Sequence, residues 1–514
     1  MDASASHLSP SDSSAASFVV RSPLTGQPIR TVAIANKSQT EAALHRARLA
    51  GRQWADRPIA ERCRVLRQAR AELVERREQV VELLCAETGK PREDALMEVF
   101  TICELIGVCC SRARKQLADQ KVKSHLLPHK RAFISYLPRG VVGVIGPYNF
   151  PLVLNFQDSI QALLAGNAVI VKPSELAPLA VECVRDALVA GGLPAELLQV
   201  IFGMAETAGV IIDGVDMICF TGSPRTGKKV MARAAETLTP VLLELGGKDP
   251  MIVLRDANIP RAVNAAVWGG LLHAGQGCVC IERIYVEEPI AEEFTRQLVE
   301  KVRQIRQGDG ADGRTVDIGA TTAAAQLDTI ERQLADAVAK GAKILIGGKR
   351  RTDLPGQFFE PTVVVGVTHD MALMREETFG PVLPIMAVRD AEEALRLAND
   401  SDYGLSSSIF TRDRKRGIEL ARKIEAGSAC VNDCLLSSMV LELPFGGVKQ
   451  SGVGFRNGPT SLRNFCRSQS VMVDRLGTRS EPLWFPLSSW VGKAVDFSMR
   501  FFYGRGRARP EQRV

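Results

Sequence analysis

Apolar positions along this chain follow two alternating patterns. From Lys37 to Val99 they recur near every 3.6 residues. Thr40-Glu41-Ala42-Ala43-Leu44 opens one segment, and Val65-Leu66, Leu73, Val80-Val81 and Leu84 continue the series, which predicts amphipathic helices that cover a sheet. Val141 to Gly146 is instead a continuous apolar run bounded by glycine, as expected of a strand buried on both faces of a parallel sheet. A helix from Phe150 to Gly166, a strand at 168–171, a helix from Leu179 to Ala190, and strands at 198–201 and 217–220 follow as repeated βαβ units. These predict a doubly wound α/β domain. A second series starts near Pro250-Met251-Ile252-Val253-Leu254 and runs to about residue 440, with strands at 284–286, 343–346 and 382–385. Between 120 and 138 two extended arms flank a turn, and no short internal repeat is present.

Length and composition narrow the class. At 514 residues the chain is too long for one core and suggests two to three domains. A hydrophobic fraction of 46% with 24% charged residues belongs to an ordinary globular protein. The net charge of +7 is modest for this length, and many of the basic residues sit in mixed-sign helices such as Arg62 to Glu82, which argues against a nucleic-acid partner. Twelve cysteines carry no CxxC pair or Cys/His metal spacing, so reduced thiols, no metal and a cytoplasmic setting are expected. Residues 1–17, rich in Ser and Ala, read as a disordered tail and not as a signal peptide.

Three short motifs carry chemistry. In Glu244-Leu245-Gly246-Gly247-Lys248 an acid follows the apolar run Pro240 to Leu243, so partial desolvation would raise its pKa and suit it to general base work. In Gly275-Gln276-Gly277-Cys278 a thiol is flanked by glycine, which leaves room for a carbonyl to approach a nucleophile. In Pro147-Tyr148-Asn149-Phe150-Pro151 the Asn149 amide is a candidate oxyanion donor, against the plain reading of a turn residue. Phe220-Thr221-Gly222-Ser223-Pro224-Arg225-Thr226-Gly227 lies where a strand ends and a helix begins, so exposed amides could face a pyrophosphate. The plain alternative is a glycine turn capped by Ser223.

Together, and in this order, these motifs resemble the aldehyde dehydrogenase superfamily from about residue 20 to 475. Glu377-Thr378-Phe379-Gly380-Pro381, Tyr403-Gly404-Leu405-Ser406 and Pro444 to Lys449 match further segments of it. The resemblance implies Cys278 as nucleophile, Glu244 as base of a hydrolytic member and Asn149 as oxyanion donor. It also implies NAD held by Lys172, Ser174, Glu175, Gly222, Ser223, Gly227, Glu377 and Phe379. A carboxylate at Glu175 would repel a 2′-phosphate, favouring NAD over NADP. The implied cycle forms a thiohemiacetal on Cys278, loses a hydride to leave a thioester, and ends in hydrolysis. The implied organisation is a cofactor domain at 18–119 and 139–246, a catalytic domain at 247–466, an oligomerisation arm at 120–138 and 467–478, and an extension at 479–514. The strand Ser470 to Val473 would pair with a partner subunit in a homodimer or homotetramer.

The pocket is expected from Phe150, Leu154, Gln157, Gly277, Val279 and the loop Cys434 to Leu443, mostly small or apolar, which favours an apolar aliphatic or aromatic aldehyde. The alternatives are a succinate-semialdehyde dehydrogenase and a non-catalytic member that keeps the fold. Asp158 departs from the residues usual there and has no assigned role, and Cys280 is a neighbour that could form a reversible sulfur linkage. Near the C-terminus, Trp490, Ala494, Phe497 and Phe501 share one side of a helical segment, with Arg505, Arg507 and Arg509 beyond it. That segment is too short to span a bilayer, and it reads either as an interfacial helix on a membrane surface or as one docked on its own protein or its partner.

Overall fold

The computed structural model describes residues 16–125, 127–310, 315–481 and 483–504. The tail before Ala16 and the arginines beyond Gly504 lie outside the described residues. Two compact units are present, one formed by residues 1–118 and 136–467 and the other by 119–135 and 468–514.

Among its described residues the larger unit contains two large sheets and two two-stranded ones, Ser17–Arg21 with Pro28–Ala33 and Tyr403–Gly404 with Val448–Lys449. The six-stranded sheet has the order Gly452–Val453, Val241–Glu244, Met217–Thr221, Val141–Ile145, Ala168–Lys172, Leu198–Val200. It is parallel throughout except for the short Gly452–Val453 edge, which runs antiparallel to Val241–Glu244. Every residue of Val141–Ile145 and Ala168–Lys172 is buried, because helices pack on both faces. Four helices over Lys37–Gln116 cover it, and Leu66, Leu73, Val80 and Leu84 lie in its core.

The seven-stranded sheet runs Lys343–Ile346, Thr362–Val365, Val382–Val388, Ile281–Glu287, Asp249–Val253, Ser408–Phe410, Cys430–Val431. Only its first strand is antiparallel to its neighbour. Strands 241–244, 362–365, 408–410 and 430–431 were not expected from the sequence pattern. Their apolar runs are short, and neighbours in space, not periodicity, define them. The chain passes from one sheet to the other through four residues, Leu245 to Lys248.

In the smaller unit Gln120–Val122 pairs antiparallel with Arg131–Pro138, as expected. The strand Cys466–Val473 is longer than the expected 470–473, and it pairs with Arg131–Pro138 of its own chain at one edge of a three-stranded sheet. Lys130 bonds both Asp474, at 2.7 Å, and Glu481. Helix Ser489–Phe502 follows, with Val491 buried and the rest of its side chains exposed. Among the described residues no helix is long and apolar enough to cross a membrane.

Candidate active site

Glu244 ends its strand between Thr221 on one side and Gly452 on the other, and it is almost fully buried. Neither carboxylate oxygen has a hydrogen-bond partner. Burial pushes its pKa up to about 8, with Arg456 pulling downward and Asp158 upward. The desolvation expected from the sequence is therefore present, and it is stronger than the apolar run alone implied.

The four-residue crossing places Gly247 against the Cys278 loop, where an added Cβ would strike the Cys278 carbonyl. That loop is reached through three successive left-handed residues, His273 (φ 48°), Ala274 (φ 55°) and Gly275 (φ 76°). Non-glycine residues in this region are uncommon and persist where surrounding contacts over-determine them. Buried Gln276 provides such contacts by donating to the His273 and Ala320 carbonyls at 3.0 and 3.2 Å and accepting from Thr322 N at 2.8 Å. A turn closed by Cys280 N on Gly277 O at 3.0 Å then presents Cys278.

The Cys278 thiol is partly buried, and burial pushes it well above the ordinary thiol value, assisted by Glu244, Asp249 and Glu377. This state therefore holds a thiol, chiefly because the sulfur is buried. Cys280 is buried with its sulfur aimed at the Leu272 carbonyl, and burial raises its pKa as well. Every cysteine is a free thiol. Among the described residues no cluster of His, Cys, Asp and Glu could hold a metal ion.

Asn149 is buried, and its amide donates to the Gln276 carbonyl at 2.8 Å, tying it to the Cys278 loop. Its own carbonyl accepts from Lys90 Nζ at 2.8 Å, and Lys90 pairs with Glu98. Glu98 in turn accepts from Leu152 N and Val153 N at 3.0 and 3.2 Å, capping helix Pro151–Ala165. Neither Lys90 nor Glu98 carried a sequence signal; they lie about 60 and 50 residues upstream of Asn149, respectively, in predicted cover helices.

Ser223 caps helix Pro224–Ala235, accepting from Thr226 N at 3.3 Å, so the plain capping reading holds and the hydroxyl also donates to Thr226 Oγ1 at 3.1 Å. Gly222 precedes it, and Gly227 packs on Leu245. Lys172 ends its strand buried, with Nζ 3.2 Å from the Pro173 carbonyl. Burial lowers its pKa, opposed by Glu175, which is exposed, while Ser174 is partly buried. Glu377 accepts from Gly247 N at 3.0 Å, and burial lifts its pKa to about 8. Glu282 fixes this segment by accepting from Thr378 N and Phe379 N, both at 2.7 Å, while pairing with Lys248 at 2.7 Å. Phe379, left-handed at φ 51°, lies edge-on to Tyr148 with ring centroids 6.2 Å apart.

A cleft of only about 10 Å³, room for roughly one water, is lined by Thr101, Ile102, Leu105, Val153, Gln157 and Leu441, where Leu441 of the 434–443 loop meets the helix after Asn149. Two of the expected lining side chains also have contacts away from the pocket. Gln157 reaches the cleft, but its amide is committed to Asn457 Oδ1 at 2.7 Å. Val279 lies in the turn that presents Cys278 and is partly buried against the core of the seven-stranded sheet. Leu154 is buried, Gly277 faces the Phe150 ring, and Phe150 stacks edge-on with buried His273 at 5.6 Å.

The sequence pattern of the aldehyde dehydrogenase family matches residues 10–471. The chain belongs to the aldehyde dehydrogenase family. A Mycobacterium ulcerans relative named "Putative succinate-semialdehyde dehydrogenase (NADP(+)) 2" is 38% identical over 468 residues, 91% of this chain and 90% of the relative. The "4,4'-diapolycopene aldehyde oxidase" of a Methylomonas species is 37% identical over 487 residues, 94% of this chain and 91% of that protein. The solved structure of "Putative Aldehyde Dehydrogenase PutA" from Anabaena variabilis superposes with a TM-score of 0.87 at 37% identity, covering 91% of this chain and all of that one. As an aldehyde dehydrogenase the protein is an oxidoreductase that oxidises aldehydes with a nicotinamide cofactor. The α/β architecture expected from the sequence is that of the family.

Proposed function

We propose that this aldehyde dehydrogenase is NAD-dependent and hydrolytic, and that it converts apolar aldehydes to carboxylic acids through a thioester on Cys278. The observation that carries the reading is the meeting of a partly buried thiol, an unpartnered buried carboxylate at Glu244 and a tethered Asn149 amide around one loop. The Cys278 thiol releases its proton to solvent and its sulfur adds to the aldehyde carbon, and the oxyanion is met by the second Asn149 N–H and the Cys278 backbone N–H. The nicotinamide cofactor, when bound, would supply the hydride acceptor and a positive ring that favours ionisation of the Cys278 thiol, which burial otherwise holds protonated. Glu244 then takes a proton from the water that attacks the thioester. The residues present fit that cofactor: Lys172 Nζ retains donors for ribose hydroxyls beside the exposed Glu175, and Glu377 stands at the Cys278 loop. The Glu175 carboxylate supports NAD over NADP, although the mycobacterial relative's name specifies NADP(+).

The residues expected beside the thiol, Phe150, Leu154, Gly277 and Val279, are uncharged, which supports an apolar substrate. The name of the mycobacterial relative favours succinate semialdehyde as a second reading, which would need a cation in the cleft wall to meet the distal carboxylate. Cofactor reduction by the purified protein, measured with both cofactors against apolar aldehydes and succinate semialdehyde beside Cys278→Ala, separates these readings. Turnover of apolar aldehydes with NAD that vanishes in the variant is expected. Succinate semialdehyde as sole substrate, or NADP as the better cofactor, would overturn the corresponding part, and no turnover with any aldehyde would favour a non-catalytic member.

We propose also that the C-terminal helix rests on an anionic membrane surface. Phe485, Trp490, Phe497 and Phe501 are 88, 56, 67 and 67% exposed, Lys493 and Arg500 flank them, and four arginines lie in the sequence after Gly504. Co-sedimentation with phosphatidylserine vesicles tests this. A protein that stays in the supernatant at low salt while forming dimers or tetramers would place the helix at a subunit interface instead.

A further inference from the structure

Asp158 and Arg456 are fully buried and face one another. Arg456 Nε lies 3.0 Å from each Asp158 oxygen and Nη2 lies 2.8 Å from Oδ2, a geometry that holds an ionised carboxylate against a guanidinium that stays protonated. Nη2 also donates to Thr221 Oγ1 at 2.7 Å. Thr221 and Glu244 are register partners in adjacent parallel strands, so their side chains leave the sheet on the same face. The guanidinium anchored on Thr221 therefore stands beside Glu244. Arg456 Nη1 and both Glu244 oxygens are buried without hydrogen-bond partners, a spare charged donor whose field reaches two spare acceptors with which it forms no ion pair in this state.

We propose that Arg456 is the positioning residue of Glu244, with its free Nη1–H as the point onto which the ionised carboxylate docks and with Asp158 and Thr221 holding the guanidinium still. This rests on the reading of Glu244 as the base of thioester hydrolysis. In that step the water oxygen bonds to the acyl carbon and its proton passes to Glu244. The C–S bond breaks with its electron pair going to the Cys278 sulfur. Arg456 favours the charged carboxylate that must be present before the step, and its hold weakens once the acid is neutral. The charged and titratable groups that face Glu244 are Arg456, Asp158 and Cys278, and the Cys219 thiol touches Asp158 from the adjacent strand. Arg456 outweighs the more distant Asp158 at Glu244, so neutralising the pair makes the base harder to ionise.

The test compares the full-length protein with D158N/R456Q, which keeps shape and hydrogen bonding while removing both charges. The pH dependence of kcat and the burst of NADH formation are measured for each. The acid limb of kcat is expected to move up by about one pH unit, roughly tenfold in rate on its slope, with burst amplitude and aldehyde KM unchanged. A limb that stays in place in the folded variant overturns the proposal. Where that variant does not fold, Thr221→Val keeps both charges and frees the guanidinium. A several-fold lower kcat with unchanged KM then supports the proposal, and an unchanged kcat overturns it. E244Q measured alongside separates the two levels. If E244Q turns over like the parent, the base reading fails and the inference with it; if E244Q stops after the burst while the pair variant keeps its limb, only the inference fails.

Discussion

Replacing Lys90 with Met tests whether the buried Lys90–Glu98 pair holds Asn149 in place. Both side chains are essentially inaccessible. Lys90 Nζ bonds Glu98 and the Asn149 carbonyl and lies 4.5 Å from the centroid of the Phe150 ring. Met preserves the length of the stem but removes the charge and every donor. Breaking a buried ion pair from one side costs about 3–5 kcal/mol, because the remaining charge stays buried without its partner. An unmade bond to the Asn149 carbonyl costs about 1–3 kcal/mol. These costs overlap, since the carbonyl can shift toward other donors and Glu98 keeps its two backbone amides, so a loss of about 4 kcal/mol is expected. Losing one oxyanion donor lowers the rate about 10²–10³-fold, and displacing one lowers it less, so the burst rate should fall at least about tenfold. Denaturant midpoints measure the first effect and stopped-flow NADH formation the second. The double variant K90M/E98Q removes the orphaned charge and should recover about half of the lost stability without restoring the burst rate. A K90M protein with the parent's midpoint and burst rate would refute the argument.

Four further outcomes follow from the same geometry. E244Q should show a full NADH burst and then turn over about 10²–10⁴-fold more slowly, read by single-turnover against steady-state rates. Native Glu244 titrates near 8, far above its unfolded value of 4.5, so the folded state holds a proton that the unfolded chain releases. This contribution is complete below about pH 4.5 and is lost as pH rises toward 8. E244Q should therefore unfold at a higher temperature than the parent at pH 9 and at nearly the same temperature at pH 5, in paired thermal melts. Glu175→Gln should lower the KM for NADP about fivefold with little change for NAD, because one repulsive charge at the ribose is removed; equal changes for both would contradict the assigned position. Phe497→Ser with Phe501→Ser should abolish vesicle co-sedimentation while leaving kcat on a small water-soluble aldehyde unchanged.

How much of this was legible in the chain depends on where each signal lies. Val141–Ile145 and Ala168–Lys172 could be read directly, since strands buried on both faces leave unbroken apolar runs. Cys278, Glu244 and Asn149 could be read because each sits on a loop or strand end whose glycines and prolines are visible in sequence. What could not be read is the set of charged residues that hold those three. Lys90, Glu98, Glu282 and Arg456 lie on helices, strands and loops whose periodicity or polarity marks them as surface, and only the fold brings them inside. Asp158 shows the difficulty most clearly. It is the sole charged residue of its helix, among apolar residues and the uncharged Asn155, Gln157, Ser159 and Gln161, with nothing nearby in sequence to neutralise it. A buried acid requires a partner, so the position itself was a signal that a cation had to arrive from elsewhere. Sequence could not name that cation, since it comes 298 residues later from Arg456. The two residues of this charge pair near Glu244 thus became interpretable only together, which is why the electrostatics around Glu244 had to be learned from the fold.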